Sequence, residues 1–335
     1  MNQTYRNFEL LIVDDGSKDK TKKIGKTLAK KFPEVVSFYS KPNEGKASAL
    51  NYGILQASGE IVVSIDADSM FLRDTLRKLV LSFCDPEVVA VGGNVKVANR
   101  EKILNKHQAL EYITGLNLQR RSFAWLDCMQ VISGAIGAFR KKELLTIGGY
   151  SSDTIVEDMD VTISLARYKH KIEYNSKAMA YTEAPEKIRD FLKQRSRWTL
   201  GGFQVLKKHR DLIFNPRFGK LGLIGMPYFM IFPWIDVLIS VLLVFTVLRV
   251  AIIGNIDYLA LFYLVISSLQ AGLIYYSLRM DQEDKRLTLL SFFESLWYSH
   301  LISFVIIKAG LYYLKGGPLS WDKLPRLGKN YAPAT

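Results

Sequence analysis

Three acidic clusters and one amide–guanidinium–indole face carry the chemistry legible in this chain. Asp14-Asp15-Gly16-Ser17 follows the apolar run Phe8–Val13 directly. Adjacent carboxylates at the carboxyl end of a strand can accept hydrogen bonds from a ligand's N–H or hydroxyl groups, and Gly16 permits a tight turn. A plain strand-to-helix turn with Asp or Ser as N-cap has the same appearance. Asp66-Ala67-Asp68 closes the next buried run, Ile61–Ile65. Two carboxylates one residue apart can both reach a hard divalent cation that bridges a substrate's phosphates; an acidic turn is the alternative. In Glu157-Asp158-Met159-Asp160, Asp158 is a candidate general base for an attacking hydroxyl. Thr154 and Glu157 match a capping box, which would tie Glu157 back to its helix start. Gln194, Arg197 and Trp198, spaced i, i+3, i+4, share one helical face that can bind phosphate oxygens and stack on a sugar ring. Lys187, Arg189, Lys193 and Arg195 equally suit an amphipathic helix lying on a bilayer.

These residues need a frame. Strand patterns at Phe8–Val13, Val35–Tyr39, Glu60–Ile65 and Val88–Val97 alternate with helical patterns at Thr21–Phe32, Gly45–Ala57 and Leu72–Phe83. Apolar strands separated by helices predict an α/β fold, a mostly parallel sheet with helices on both faces. Ligands collect beyond the carboxyl ends of such strands, where both early acidic turns lie. The 335 residues include 45 Lys+Arg and 32 Asp+Glu, a net charge of +13, and are 49% hydrophobic, which excludes a disordered chain. Cys84 and Cys128 cannot build a disulfide framework, and four scattered histidines leave no zinc pattern.

Past Asn215 the chain becomes apolar. Leu221–Ile253, Tyr258–Leu278 and Leu287–Leu314 each approach or exceed the roughly 20 apolar residues a bilayer crossing needs. The expected division is therefore a soluble part over 1–215, a membrane region of about three helices over 216–315, and a basic tail over 316–335. Lys207, Lys208, Arg210, Arg217 and Lys220 precede the first apolar segment, and place the soluble part in the cytoplasm of a multi-pass plasma-membrane protein. Arg279–Arg286 fits a second cytoplasmic loop. Three crossings would put the tail outside despite Lys315, Lys323, Arg326 and Lys329, so the last segment is either partly re-entrant or the tail breaks the rule. The basic residues concentrate beside the apolar segments, which argues for membrane lipid and against nucleic acid as partner.

The ordered set DDGS, DAD, VED and QRSRW, followed by apolar segments, resembles the family 2 membrane-embedded β-glycosyltransferases, which include cellulose, chitin, hyaluronan and poly-N-acetylglucosamine synthases. Asn43–Asn51, Ser133–Arg140 and Thr154–Asp160 look closest to the poly-N-acetylglucosamine branch. The resemblance implies a GT-A-like fold and a single inverting displacement from a UDP-sugar onto a β-linked polysaccharide, coupled to membrane translocation. It implies that Asp14 and Asp15 contact uridine with Lys46 nearby, and that Asp66 and Asp68 serve the diphosphate and its Mg²⁺ or Mn²⁺. It further implies Asp158 as base, Ser133 and Gly134 at the acceptor, and Gln194, Arg197 and Trp198 on the diphosphate and acceptor sugar. An accessory membrane subunit is a possible partner in this class.

Family members open the catalytic domain with an earlier strand, set between those at Phe8–Val13 and Glu60–Ile65. Its absence here predicts an N-terminally truncated chain with two unpaired sheet edges. Two other functions compete: a non-processive transferase acting on a lipid-linked or other acceptor, and an inactive truncated subunit. A ladder of product lengths, a single addition, or no product separates the three.

Overall fold

Strand β1 (Leu10–Asp15) pairs in parallel with β2 (Val36–Lys41), and helix α1 (Thr21–Lys31) makes the crossover. This arrangement belongs to a computed structural model that describes residues 2–254 and 258–317. Helix α2 (Lys46–Gln56) packs back on β1 and leads into β3 (Ile61–Ser64), β4 (Ser69–Phe71), α3 (Thr75–Ser82) and β5 (Val88–Val97). Helix α4 (Ile103–Glu111) continues through a π-helical stretch, Tyr112–Leu118, into α5 (Gln119–Trp125). Then come β6 (Gly137–Arg140), α6 (Lys141–Thr146), α7 (Glu157–Arg167), β7 (Lys171–Thr182) and the long α8 (Ile188–Lys208).

The main sheet has the order β3-β6-β5-β7-β4. β5 and β7 are parallel, but β3–β6, β5–β6 and β4–β7 are antiparallel. The expectation of a mostly parallel sheet is therefore corrected to a mixed one. The cause is local: β4 and β6 are strands of 3 and 4 residues that re-enter the sheet from loops, with no crossover helix to fix their direction. β5 is buried along all ten residues, as a strand covered on both faces must be, and Val88, Val91, Val95 and Val97 pack on Leu79 of α3 and Ile136. On the other face Val89 and Ala90 join Ile132, Phe139, Leu144 and Leu165.

Among the described residues β1 has only β2 as strand partner, and β3 only β6. A carboxylate bridges the two sheets at that seam. Glu9 accepts hydrogen bonds from the Ser58 N–H at 2.6 Å, the Ser58 Oγ at 2.7 Å and the Gly59 N–H at 3.2 Å.

Beyond α8 the chain turns apolar as expected. A π turn at Leu221–Gly225 opens into α9 (Met226–Ile253), which carries Pro233 without breaking. Leu221–Ile253 is 33 residues, about 50 Å of helix, and is the one helix among the described residues long and apolar enough to cross a membrane. Its Ile231, Phe232, Ile235, Leu238 and Phe245 side chains are exposed, unlike those of a core helix. Helix α10 covers Tyr258–Met280. The segment Leu287–Leu314 is not one straight helix. It runs as a 3₁₀ stretch (Lys285–Leu290), the single turn α11 (Ser291–Phe293), a π turn (Glu294–Tyr298) and α12 (Ser299–Leu314). The π turn swings Tyr298 onto the end of α4, where its hydroxyl donates to Glu111. At 16 residues, α12 spans only about 24 Å. Residues 318–335, most of the expected basic tail with Lys323, Arg326 and Lys329, lie outside the described residues.

The loop after α10 returns to the sheet. Lys96 of β5, 5% exposed, donates to Glu283 Oε1 at 2.7 Å and to the Asp281 carbonyl at 3.0 Å. Arg100 forks onto the two Glu283 oxygens at 2.6 and 3.2 Å, and Arg121 donates to Asp281 Oδ1 at 3.0 Å. Glu283 keeps its charge despite burial because Arg100 and Lys96 bond to it, which holds its carboxyl below the usual range.

Candidate active site

At the end of β1, Asp14 is buried, accepting from the Ser17 N–H at 3.1 Å and Ser40 Oγ at 3.2 Å. Hydrogen bonds from Ser17, against the cost of burial, hold its carboxyl below the usual range. Asp15 accepts from the Glu44 N–H at 3.1 Å, the Gly45 N–H at 2.8 Å and Lys41 Nζ at 3.1 Å. Burial opposes its charge, but these bonds prevail and lower its pKa as well. Gly16 takes φ +70°, and a Cβ there would lie 2.9 Å from the Asn43 nitrogen, so the turn requires glycine. Asp15 therefore braces the loop that launches α2, while Asp14 ties the turn after β1 to Ser40 of β2.

Lys46, the first residue of α2, is placed by that brace. Its Nζ lies 2.6 Å from Asp66 Oδ1 and 2.7 Å from Glu157 Oε1. Its ammonium thereby joins the DAD turn to the start of α7. Burial works against its charge, but Asp66, Glu157 and Asp158 outweigh that and raise its pKa. Burial pushes the Glu157 carboxyl up, with the Asp158 charge adding to it and Lys46 opposing.

The capping box is corrected by the same contact. Val156 is the N-cap of α7 and makes no side-chain cap, while the Thr154 Oγ1 is buried without a hydrogen bond. A charge-assisted bond to Lys46 outweighs a return to the Thr154 backbone, so Glu157 faces the cluster. Asp158 accepts the Gly134 N–H at 3.1 Å through Oδ2. The neighbouring Ser133 turns its Oγ toward the Ala135 N–H at 3.4 Å. A Cβ on Gly134 would stand 2.9 Å from Lys46 Nζ and 3.4 Å from both Asp66 oxygens. Gly134→Ala is therefore expected to displace the end of Lys46, a flexible group, at little cost to Tm while lowering turnover by about tenfold or more. Thermal melting and a transfer assay on one preparation check both halves.

Asp160, on the same turn of α7, points the other way. It meets His209 Nε2 at 2.8 Å and Lys208 Nζ at 2.9 Å, fixing α7 against the end of α8. Burial opposes its charge, but His209 and Lys208 hold its pKa low. Asp68 sits beside Asp66 with Ser69 Oγ 3.4 Å from its Oδ1. No group of three or more His, Cys, Asp or Glu side chains gathers as a metal site among the described residues. Two carboxylates still suit Mg²⁺ or Mn²⁺, which take one or two protein oxygens and complete their shell with phosphate and water. Asp66 and Asp68 are the residues that would hold such an ion.

On α8, Gln194 is buried and Trp198 packs against the core that holds Leu79 and Ile136, 6.4 Å from the Tyr112 ring. The Arg197 Nε is buried. Arg195 is a correction. Rather than lying on a bilayer, it is 4% exposed and bonded to Glu111 Oε2 at 2.5 Å, because α4 supplies a carboxylate inside the fold. Sequence reasoning passed over Glu111, and also Tyr150, a buried phenol close enough to Ser64 and Lys46 to feel both. Neither belongs to a recognisable motif.

Residues 1–146 match the Glycosyl transferase family 2 model. The chain carries a family 2 glycosyltransferase domain. Among curated relatives, the poly-beta-1,6-N-acetyl-D-glucosamine synthase of Staphylococcus epidermidis is 35% identical over 224 residues, 65% of this chain and 53% of its own. That of Staphylococcus aureus (strain COL) is 34% identical over 203 residues, 60% of this chain and 49% of its own. The chain spans about half the length of the curated relatives it matches. In fold, the chain resembles a mannosyltransferase from Pyrobaculum calidifontis solved in complex with GDP-Man and Mn²⁺. The TM-score is 0.59 at 21% identity, over 88% of this chain and 80% of that one.

Proposed function

We propose that this chain is the catalytic part of a membrane polysaccharide synthase. It transfers N-acetylglucosamine from a UDP-sugar to the end of a β-linked chain with inversion, and passes the product across the membrane. The observation that carries this reading is the Lys46 bridge. It draws the DAD turn and the acidic start of α7 together, so that Asp66 and Glu157, 91 positions apart in sequence, share one ammonium. Diphosphate chemistry and proton removal then sit side by side, as glycosyl transfer requires.

Asp158, fixed by the Gly134 N–H, takes the proton from the acceptor hydroxyl as the oxygen attacks the anomeric carbon. Lys46 and Arg197 supply positive charge for the departing diphosphate, and Gln194 and Trp198 hold the acceptor sugar. Asp14 and Asp15 shape the loop that receives the nucleotide. A divalent ion held by Asp66 and Asp68 would add Lewis-acid stabilisation of the leaving diphosphate. The test is incubation of the membrane-reconstituted chain with radiolabelled UDP-N-acetylglucosamine. A ladder of lengths is expected. A single addition would favour a non-processive transferase, and no product an inactive subunit.

For topology, the proposal has about three crossings, with residues 1–215 and the loop around Asp281 on the cytoplasmic side. Support comes from that loop's ion pairs to β5 and β5's flank, which keep it on the same side as the sheet. Exposed Lys207, replaced by cysteine, is expected to resist an impermeant maleimide in sealed cells and to react after permeabilisation. Labelling in sealed cells would reverse the orientation.

A further inference from the structure

Arg195 lies between two aromatic rings of its own helix, its guanidinium carbon 4.8 Å from the Phe191 centroid and 4.2 Å from that of Trp198. Its Nη1 donates to Gln194 Oε1 at 2.5 Å and its Nη2 to Glu111 Oε2 at 2.5 Å. The same Glu111 oxygen accepts the Tyr298 hydroxyl. One planar cation thus touches two residues of the Gln-x-x-Arg-Trp face, and one carboxylate joins that cation to the apolar C-terminal region.

The setting is unusual in a second respect. Glu111 is the last residue before the π-helical stretch Tyr112–Leu118, and Tyr298 is the last residue of the π turn Glu294–Tyr298. Each widened turn costs regular helical bonding and redirects a side chain, and here both redirected groups converge on one guanidinium. Tyr112, the first residue of the wider stretch, is the other ring beside Trp198. His107 stacks on Tyr298 at 5.4 Å, stiffening the phenol from behind.

We propose that Arg195 is a positioning residue: it sets the Trp198 indole and the Gln194 amide, and is itself set by Tyr298 through Glu111. The seating of the last apolar segment therefore controls the grip on the acceptor sugar. A guanidinium is suited to this because its plane stacks on aromatic faces while its edge donates in two directions. Lysine keeps the charge but neither the plane nor the fork.

The inference rests on Trp198 as an acceptor residue, so its test has an arm independent of catalysis. The chain is labelled with 5-fluorotryptophan in lipid nanodiscs, and the Trp198 ¹⁹F resonance is assigned with Trp198→Phe. Arg195→Lys and Tyr298→Phe are both expected to move that resonance and to leave that of exposed Trp125 in place. With a β-1,6-linked N-acetylglucosamine pentamer as acceptor, Arg195→Lys should raise the acceptor KM by about tenfold, as expected for a slightly misplaced contact. Tyr298→Phe should raise it less, and both should leave the donor KM within about twofold. A Trp198 resonance unmoved in Tyr298→Phe, or donor and acceptor KM rising together, overturns the relay. A wild-type chain that transfers nothing overturns the functional reading instead, and the fluorine arm then decides the relay alone.

Discussion

Asp158→Asn is expected to bind a UDP-sugar normally and to transfer it about 10²–10⁴-fold more slowly, the usual cost of losing a general base. The substitution keeps shape and still accepts the Gly134 N–H that Oδ2 receives at 3.1 Å, so the local fold survives. What disappears is the ability to take a proton. Glu157 cannot substitute while Lys46 lies 2.7 Å from its Oε1. Glu157→Gln is expected to act differently: it releases Lys46 toward Asp66 and weakens donor affinity together with rate. Isothermal titration with UDP and a product assay, run on both variants, separate the two roles. Near-normal turnover in Asp158→Asn alongside collapse in Glu157→Gln would exchange them.

Asp68→Ala is expected to abolish detectable transfer while leaving expression and membrane insertion unchanged, and EDTA is expected to do the same to the wild type. Only two carboxylates stand at the DAD turn, and Asp66 is shared with Lys46 at 2.6 Å. Removing the second leaves a divalent ion with one contested protein ligand. Several kcal/mol of stabilisation at the leaving diphosphate would go with it. Melting of the variant should match wild type, since Asp68 is partly exposed at a turn rather than part of the core. Full activity in EDTA, or in Asp68→Ala, contradicts the metal assignment.

The early strands were legible as short apolar runs between turn residues, and the helices as the helical patterns between them. Lys46–Gln56 and Val88–Val97 fall within a residue of their expected limits. β7 escaped because KIEYNSKAMAYT is polar over most of its length, with an apolar run only at its end. Its polar positions are satisfied inside the fold, as where Asn175 donates to the Lys78 carbonyl at 2.9 Å and to Ser82 Oγ at 3.2 Å. The residues of the candidate site were visible as types and spacings, whereas their partners were not. Spacing suggests that Thr154 caps and Glu157 answers it. Only three dimensions reveal that Lys46, 111 positions earlier, offers Glu157 a stronger bond. Arg195 misled for the same reason, since its counter-charge arrives from 84 residues away.

The bond between Lys96 and Glu283 also has a meaning in time. The two residues are separated by 187 positions. At roughly 5–20 residues per second, a ribosome needs about 10–40 s to make that interval. Throughout it β5 carries an ammonium destined for burial, and Arg100 and Arg121 wait beside it for the same late loop. Breaking a buried pair by removing one member costs about 3–5 kcal/mol, a large share of a domain's stability. The central strand β5 therefore gains the partners of its buried ammonium only once residues 281–283 have been made. A shortened chain ending near residue 215 would carry three cations, Lys96 on β5, Arg100 just past it and Arg121 on α5, whose carboxylates had never been made.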